Sequence, residues 1–157
     1  MKTYETAPDN VTYCKEAELT IKKKNSEFSK TQISSSKDAF EYIKQFYHED
    51  IDIYESFFAL FLNRKNQTIA YAKIAQGGLS MVLVDSRIIG KYALDTLAQS
   101  VIIAHNHPSG SLNPSQEDKK LTKRVQGVLD IIDVKLTDHI IITSENGYYS
   151  FMDNGGL

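Results

Sequence analysis

Cysteine is nearly missing from this chain of 157 residues. Cys14 stands alone, so neither an intrachain disulfide nor a cysteine-based zinc site can form, and a reducing cytoplasm is the expected compartment. Excess positive charge is missing too. Eighteen Lys+Arg against twenty Asp+Glu leave a formal net charge of −2, without the general positive field on which non-specific nucleic-acid binding relies. The longest apolar runs, such as Ser56–Leu62 and residues 101–104, fall far short of the roughly 20 residues that span a bilayer. The opening Met1-Lys2-Thr3-Tyr4-Glu5 has no apolar signal region, and no membrane partner is expected. Internal repeats, low-complexity tracts, an H-E-x-x-H helix, a P-loop and a G-x-G-x-x-G turn are also absent, which removes the usual support for those metal and nucleotide chemistries.

What is present is an ordinary globular composition, 41% hydrophobic and 24% charged, in a length that suits one domain. Residues 1–36 read as a polar N-terminal arm with a possible strand at 17–21. In it Lys22-Lys23-Lys24 fit a solvated strand edge better than a nucleic-acid patch, and Cys14 is a small packed or partly exposed residue. Residues 37–157 read as the folded domain. Ser35 and Asp38 make an S-x-x-D start for a helix over about 37–48, with Phe40, Ile43 and Tyr47 on one face and His48 at its C-terminal end. Residues 55–63 and 67–75, joined by the polar turn Asn63-Arg64-Lys65-Asn66, form a β-hairpin with at least one buried strand. Asp85 caps a second helix over about 86–99, residues 101–104 are a short buried strand, and Ser115 caps a third helix running to about Leu129. Strands at 134–136, 139–143 and 148–151 follow, the last two joined through Asn146-Gly147. The mixture predicts an α/β or α+β sandwich.

The chemistry concentrates in His105-Asn106-His107-Pro108-Ser109-Gly110-Ser111-Leu112-Asn113-Pro114-Ser115-Gln116-Glu117-Asp118. Side chains two apart on a strand point to one side, so both imidazoles can face one ion. Asp118 falls in the first turn of the next helix, and a loop stiffened by Pro108 and Pro114 can fold that turn over the histidines. Two imidazoles, a carboxylate and a water make the open four-coordinate shell of a catalytic zinc site. Ser115 and Asp118 also satisfy a helix cap, which alone would explain them. The H-x-H followed by Pro and Gly, directly after a buried strand, is what packing does not explain.

His105-x-His107, seven residues, Ser115, two residues and Asp118 spell H-x-H-x7-S-x2-D, and in this the chain resembles the JAMM (MPN-type, JAB domain) metalloproteases. The His-Asn-His-Pro-Ser-Gly wording, Pro114-Ser115-x-x-Asp118 and Asp138-His139-Ile140-Ile141-Ile142 are similar to the RadC branch of that superfamily, over roughly residues 37–151. The resemblance implies a β-sheet flanked by helices in a cytidine-deaminase-like, three-layer arrangement, and one zinc ion held by His105, His107 and Asp118. It further implies Glu55 as general base, Ser115 at the oxyanion, and hydrolysis of peptide or isopeptide bonds by metal-activated water, with a peptide or protein as substrate. From the residues alone nothing separates Glu55 from Glu49, Asp50 or Asp52.

Two other functions compete with this one. The RadC branch carries a DNA-repair label, and its fuller members place a helix-hairpin-helix region before such a domain; the arm here is too short for one and has no G-x-G hairpin. Nucleic-acid binding or nuclease activity is therefore the runner-up. The H-N-H letters do not match an HNH nuclease, whose ligands are spread over a longer ββα unit. A metal-bearing binding module with little activity is the third reading. Asp138-His139 fits either a pair that orients a ligand or a structural strand start. The second is preferred, because the pair follows Asp118 by about 20 residues and opens an apolar strand.

Overall fold

The computed structural model describes residues 26–78, 83–145 and 147–157. The possible strand at 17–21, Lys22 to Lys24, Cys14 and the Asn146 half of the expected turn lie outside the described residues. Among the described residues five strands form one sheet in the order β2-β1-β3-β4-β5, with β1 at Ser56–Leu62, β2 at Thr68–Gln76, β3 at Ser100–Asn106, β4 at Lys135–Ile142 and β5 at Tyr148–Ser150. β1 runs antiparallel to both neighbours, β3 and β4 are parallel, and β5 returns antiparallel. Three α-helices of the described residues flank the sheet: α1 at Ser36–Ile43, α2 at Ser86–Thr96 and α3 at Gln116–Ile131.

Period-two alternation in β1 and β3 sorts the core into two halves. Phe58, Leu60, Leu62, Ile102 and Ala104 meet α1 through Phe40 and Ile43. Phe57, Ala59, Phe61, Val101 and Ile103 meet α2 and α3 through Ile89, Ala93, Val125 and Leu129. Each large side chain that is fully withdrawn contributes about 1.5–3 kcal/mol, so these central strands hold the layers together. β4 needs one irregularity to join in. Its pairing with β3 steps from Val101↔Leu136 to Ile102↔Asp138, leaving Thr137 as an extra residue. Leu136 consequently faces α2 and α3, while Ile140 and Ile142 face α1. The two strands expected at 134–136 and 139–143 are thus one strand carrying a bulge.

The caps follow the sequence. Ser35 accepts from the Asp38 N–H, Asp85 from the Arg87 N–H and Ser115 from the Asp118 N–H. α1 stops at Ile43 and tightens into a 3₁₀ turn at Lys44–Phe46, so His48 begins the following Glu49–Asp52 turn instead of ending a helix. α2 closes early at Leu97, which takes the left-handed conformation (φ 54°, ψ 41°) and is 75% exposed. A Cβ costs about 1–2 kcal/mol there and Leu97 recovers little by burial. Leu97→Gly is therefore expected to raise the melting temperature by about 2–4 °C, read by calorimetry.

Candidate metal centre

β3 ends in His105 and Asn106, and the Pro108–Gly110 corner then sends the chain to α3. His105 shares its face with Val101 and Ile103, so it points into the α2/α3 half, where it is 1% exposed. The His107 N–H donates to Ile142 O (3.0 Å), which prolongs the β3–β4 pairing by one residue and keeps His107 on the same side. His107 Nδ1 lies 2.7 Å from Ser111 O, and a carbonyl only accepts. Its proton therefore sits on Nδ1 and Nε2 is left free.

Asp118 arrives from above, on the first turn of α3. Its Oδ2 accepts from the Ser115 N–H (2.7 Å) and the Ser115 hydroxyl (2.7 Å), while Ser115 Oγ accepts from the Asp118 N–H (3.1 Å). This reciprocal cap and the approach to the histidines coexist, because a carboxylate has acceptor sites to spare. His105 Nε2 lies 3.0 Å from His107 Nε2 and 3.1 Å from Asp118 Oδ1, and His107 Nε2 lies 3.5 Å from Asp118 Oδ2. Ligand bonds of about 2.0–2.1 Å at tetrahedral angles separate donors by about 3.3 Å; the His105–His107 edge and the His105–Asp118 Oδ1 edge are close to that, and with one ligand atom taken from each residue all three lie within 4.8 Å of one another. His105, His107 and Asp118 could therefore hold a metal ion.

The charges agree with that placement. Burial pushes the Asp118 carboxyl up, but the neighbouring His105 and His107 rings and the Ser115 hydroxyl outweigh it and hold it well below the usual carboxylate range. The bond with Asp118 raises His107 against the opposing effect of burial. Glu55 lines the same groove, whose volume is about 510 Å³, alongside Phe57, Val84 and Leu121. Its carbonyl accepts from the Gly77 N–H (2.8 Å), and Phe57, two residues on and on the same face, pairs with His105. Burial raises the Glu55 carboxyl above its ordinary value and Asp118 adds to that, while His105 and His107 pull it down. This separates Glu55 from Glu49, Asp50 and Asp52, which belong to the preceding 3₁₀ turn.

Sequence reasoning missed Asn106 and left the Asp138-His139 pair between two readings. Asn106, fully buried between the histidines in sequence, points to the opposite face. There its Oδ1 accepts from the Ser56 N–H (2.7 Å) and its Nδ2 donates to Ile51 O (2.5 Å) and Tyr54 O (2.8 Å). It thereby ties the segment that carries Glu55 to the strand that carries the histidines. Asp138 and His139, treated together above, separate. Asp138 Oδ1 accepts from the His139 and Met152 N–H groups and Oδ2 from the Ser150 hydroxyl, a structural role that joins β4 to the C-terminal turn. His139 faces a candidate ligand: its Nε2 lies 2.8 Å from His105 Nδ1. Burial holds its pKa well below the usual histidine range.

The fold and the cluster together define the class, an α/β domain of JAB type built round a His-His-Asp group that could bind a metal. The family profile described as RadC-like JAB domain matches residues 33–157, and the chain belongs to that family. It is 46% identical over 124 residues to a UPF0758 protein of Flavobacterium johnsoniae, a match covering 79% of this chain and 53% of that one. It is 42% identical over 103 residues to the UPF0758 protein YfjY of Escherichia coli K12, covering 66% of this chain and 64% of the relative. With UPF0758 protein NMC1174 of Neisseria meningitidis it shares 48% over 88 residues, 56% of this chain and 39% of the relative. The chain spans about half the length of the curated relatives it matches, and none of these names states an activity. No helix among the described residues is long and apolar enough to cross a membrane.

Proposed function

We propose that the domain is a zinc-dependent hydrolase of amide bonds, a peptidase or isopeptidase acting on a peptide or protein. The observation that carries this reading is the convergence of two imidazole Nε2 atoms and one carboxylate beside a half-buried second carboxylate in one groove. His105, His107 and Asp118 would hold the zinc ion, which would supply Lewis acidity, lowering the pKa of water from 15.7 towards about 7. Glu55 is the group placed to take a proton on its carboxylate and return it to the leaving nitrogen. Its partial desolvation moves its pKa towards the working range of such a base. Phe57 and Val84 wall the groove and limit water around that carboxylate. Ser115 is given the oxyanion by the resemblance. Its hydroxyl proton is committed to Asp118 Oδ2, so it serves an oxyanion only by turning out of the cap. The single cysteine supports a cytoplasmic home.

Zinc content and cleavage of peptide and modifier-fusion substrates, compared between the wild type and Glu55→Gln, test the proposal. One zinc per chain in both proteins is expected, with the rate falling about 10²–10⁴-fold in the variant. Salt-sensitive DNA nicking without peptide cleavage would replace the reading with the nuclease, and zinc with neither activity would leave a binding module.

A further inference from the structure

His105 reaches the candidate metal with Nε2, and that requires its own proton to sit on Nδ1. Nothing in the H-x-H motif secures this, because a neutral imidazole has two tautomers of similar energy. For His107 the Ser111 carbonyl makes the choice directly. His105 Nδ1 has no carbonyl before it; it faces another histidine ring, His139, at 2.8 Å. Which nitrogen carries the proton must then be decided one step further away.

The next link is Thr122, one turn after Asp118 on α3. Its Oγ1 lies 2.6 Å from the Asp118 backbone oxygen and 2.7 Å from His139 Nδ1. The peptide oxygen can only accept, so the single hydroxyl proton of Thr122 is used there. Thr122 Oγ1 must consequently accept from His139, which puts the His139 proton on Nδ1. His139 is 0% exposed, lies flat against Phe151 (ring centroids 4.6 Å apart, 9° between planes) and is flanked by Phe57, and its ring bonds to Thr122 and His105, neither of them an anion, so a second proton would bury an uncompensated charge. Its Nε2 is then bare and accepts from His105 Nδ1–H.

We infer that Thr122 and His139 are positioning residues that fix the tautomer of His105, aiming its Nε2 lone pair at the metal. The backbone oxygen of Asp118 starts the chain Asp118 O, Thr122, His139, His105, and the Asp118 carboxylate meets His105 Nε2 at its other end. The first turn of α3 therefore supplies one candidate ligand and also orders the second. The inference rests on the metal-centre reading for its purpose, but the tautomers themselves are a property of the metal-free protein.

Long-range ¹H–¹⁵N spectra of the histidine rings, recorded without metal and with one equivalent of zinc, test it together with zinc affinity. In the wild type His105 Nδ1 and His139 Nδ1 are expected to be protonated and His139 Nε2 bare in both states. Thr122→Val, which keeps the branched shape but removes the hydroxyl, is expected to release the His139 tautomer and weaken zinc binding about 10–100-fold, while Thr122→Ser keeps both near wild type. A wild-type His105 with its proton only on Nε2 overturns the inference. So does a folded Thr122→Val protein with unchanged tautomers and zinc affinity. Should Thr122→Val fail to fold, the wild-type spectra alone decide. The expected tautomers in a wild type that takes up no zinc would uphold the relay and sink the metal reading instead.

Discussion

Asp118→Asn is expected to weaken zinc binding on the order of a hundred-fold while leaving the fold nearly intact. Structural zinc sites bind with about 10–16 kcal/mol over four ligands, so one ligand represents about 3 kcal/mol, or about two decades in affinity. Asparagine keeps the size of the side chain and an oxygen that can accept from the Ser115 N–H, so the N-terminus of α3 stays capped. What it removes is charge. The metal-free protein offers a second readout of that charge through its stability against pH. Asp118 is depressed in the folded state, so its contribution is present above its unfolded pKa of about 3.9 and is lost as pH falls towards the folded value. His107 is raised, so its contribution is complete below about pH 6.5 and is lost as pH rises through the folded value. The difference in melting temperature between the wild type and Asp118→Asn should therefore be largest between about pH 4 and pH 6.5, where contributions common to both proteins, such as that of buried neutral His139, cancel. Unchanged zinc affinity in calorimetric titration would show that Asp118 is only a helix cap.

Asn106→Asp is expected to do the converse, sparing the metal and damaging both stability and catalysis. The substitution replaces the two hydrogens that reach Ile51 O and Tyr54 O with an oxygen, leaving two partly buried carbonyls facing lone pairs of a fully buried side chain. Each unsatisfied group costs about 1–3 kcal/mol, so the loss is about 2–6 kcal/mol, a fall of roughly 5–20 °C in melting temperature at this size. Glu55 sits between Tyr54 and Ser56, both of which Asn106 holds. A displacement of about 1 Å at such a base costs about a hundred-fold in rate. His105 and His107 point to the other face of β3 and keep their partners, so zinc affinity should stay within a few-fold. If Asn106→Asp retains the wild-type rate on whatever substrate is cleaved, the segment 51–56 is positioned by other contacts, of which the Tyr47 hydroxyl on Ser56 O is one.

Much of this site can be read along the chain because its geometry is local. His105 and His107 share a face by strand periodicity, and Ser115 and Asp118 share a helix turn by capping chemistry, so spacing alone proposes their meeting. Glu55 was singled out only through the family resemblance. Its approach to the histidines depends on the register Phe57↔His105 between strands far apart in sequence. Asn106 reads as filler between two histidines, since its partners lie about 50 residues earlier and on the opposite side of the sheet. His139, read along the chain, only opens an apolar strand, and counted back from the core residue Leu136 strict alternation would turn it away from the α2/α3 half. The extra residue at Thr137 reverses that parity and brings the ring against His105.

Elements with short-range causes are legible along the chain, namely the caps at Ser35, Asp85 and Ser115, the buried strands, and the H-x-H-x7-S-x2-D ligand spacing. Tertiary structure decided which groups stand behind those ligands: Glu55 in the groove, Asn106 beneath the Glu55 segment, and Thr122 with His139 behind His105. The physical reason is that capping and strand alternation act over a few residues. Register, bulge position and helix docking are set by the packing of whole faces, and no short window of residues encodes those.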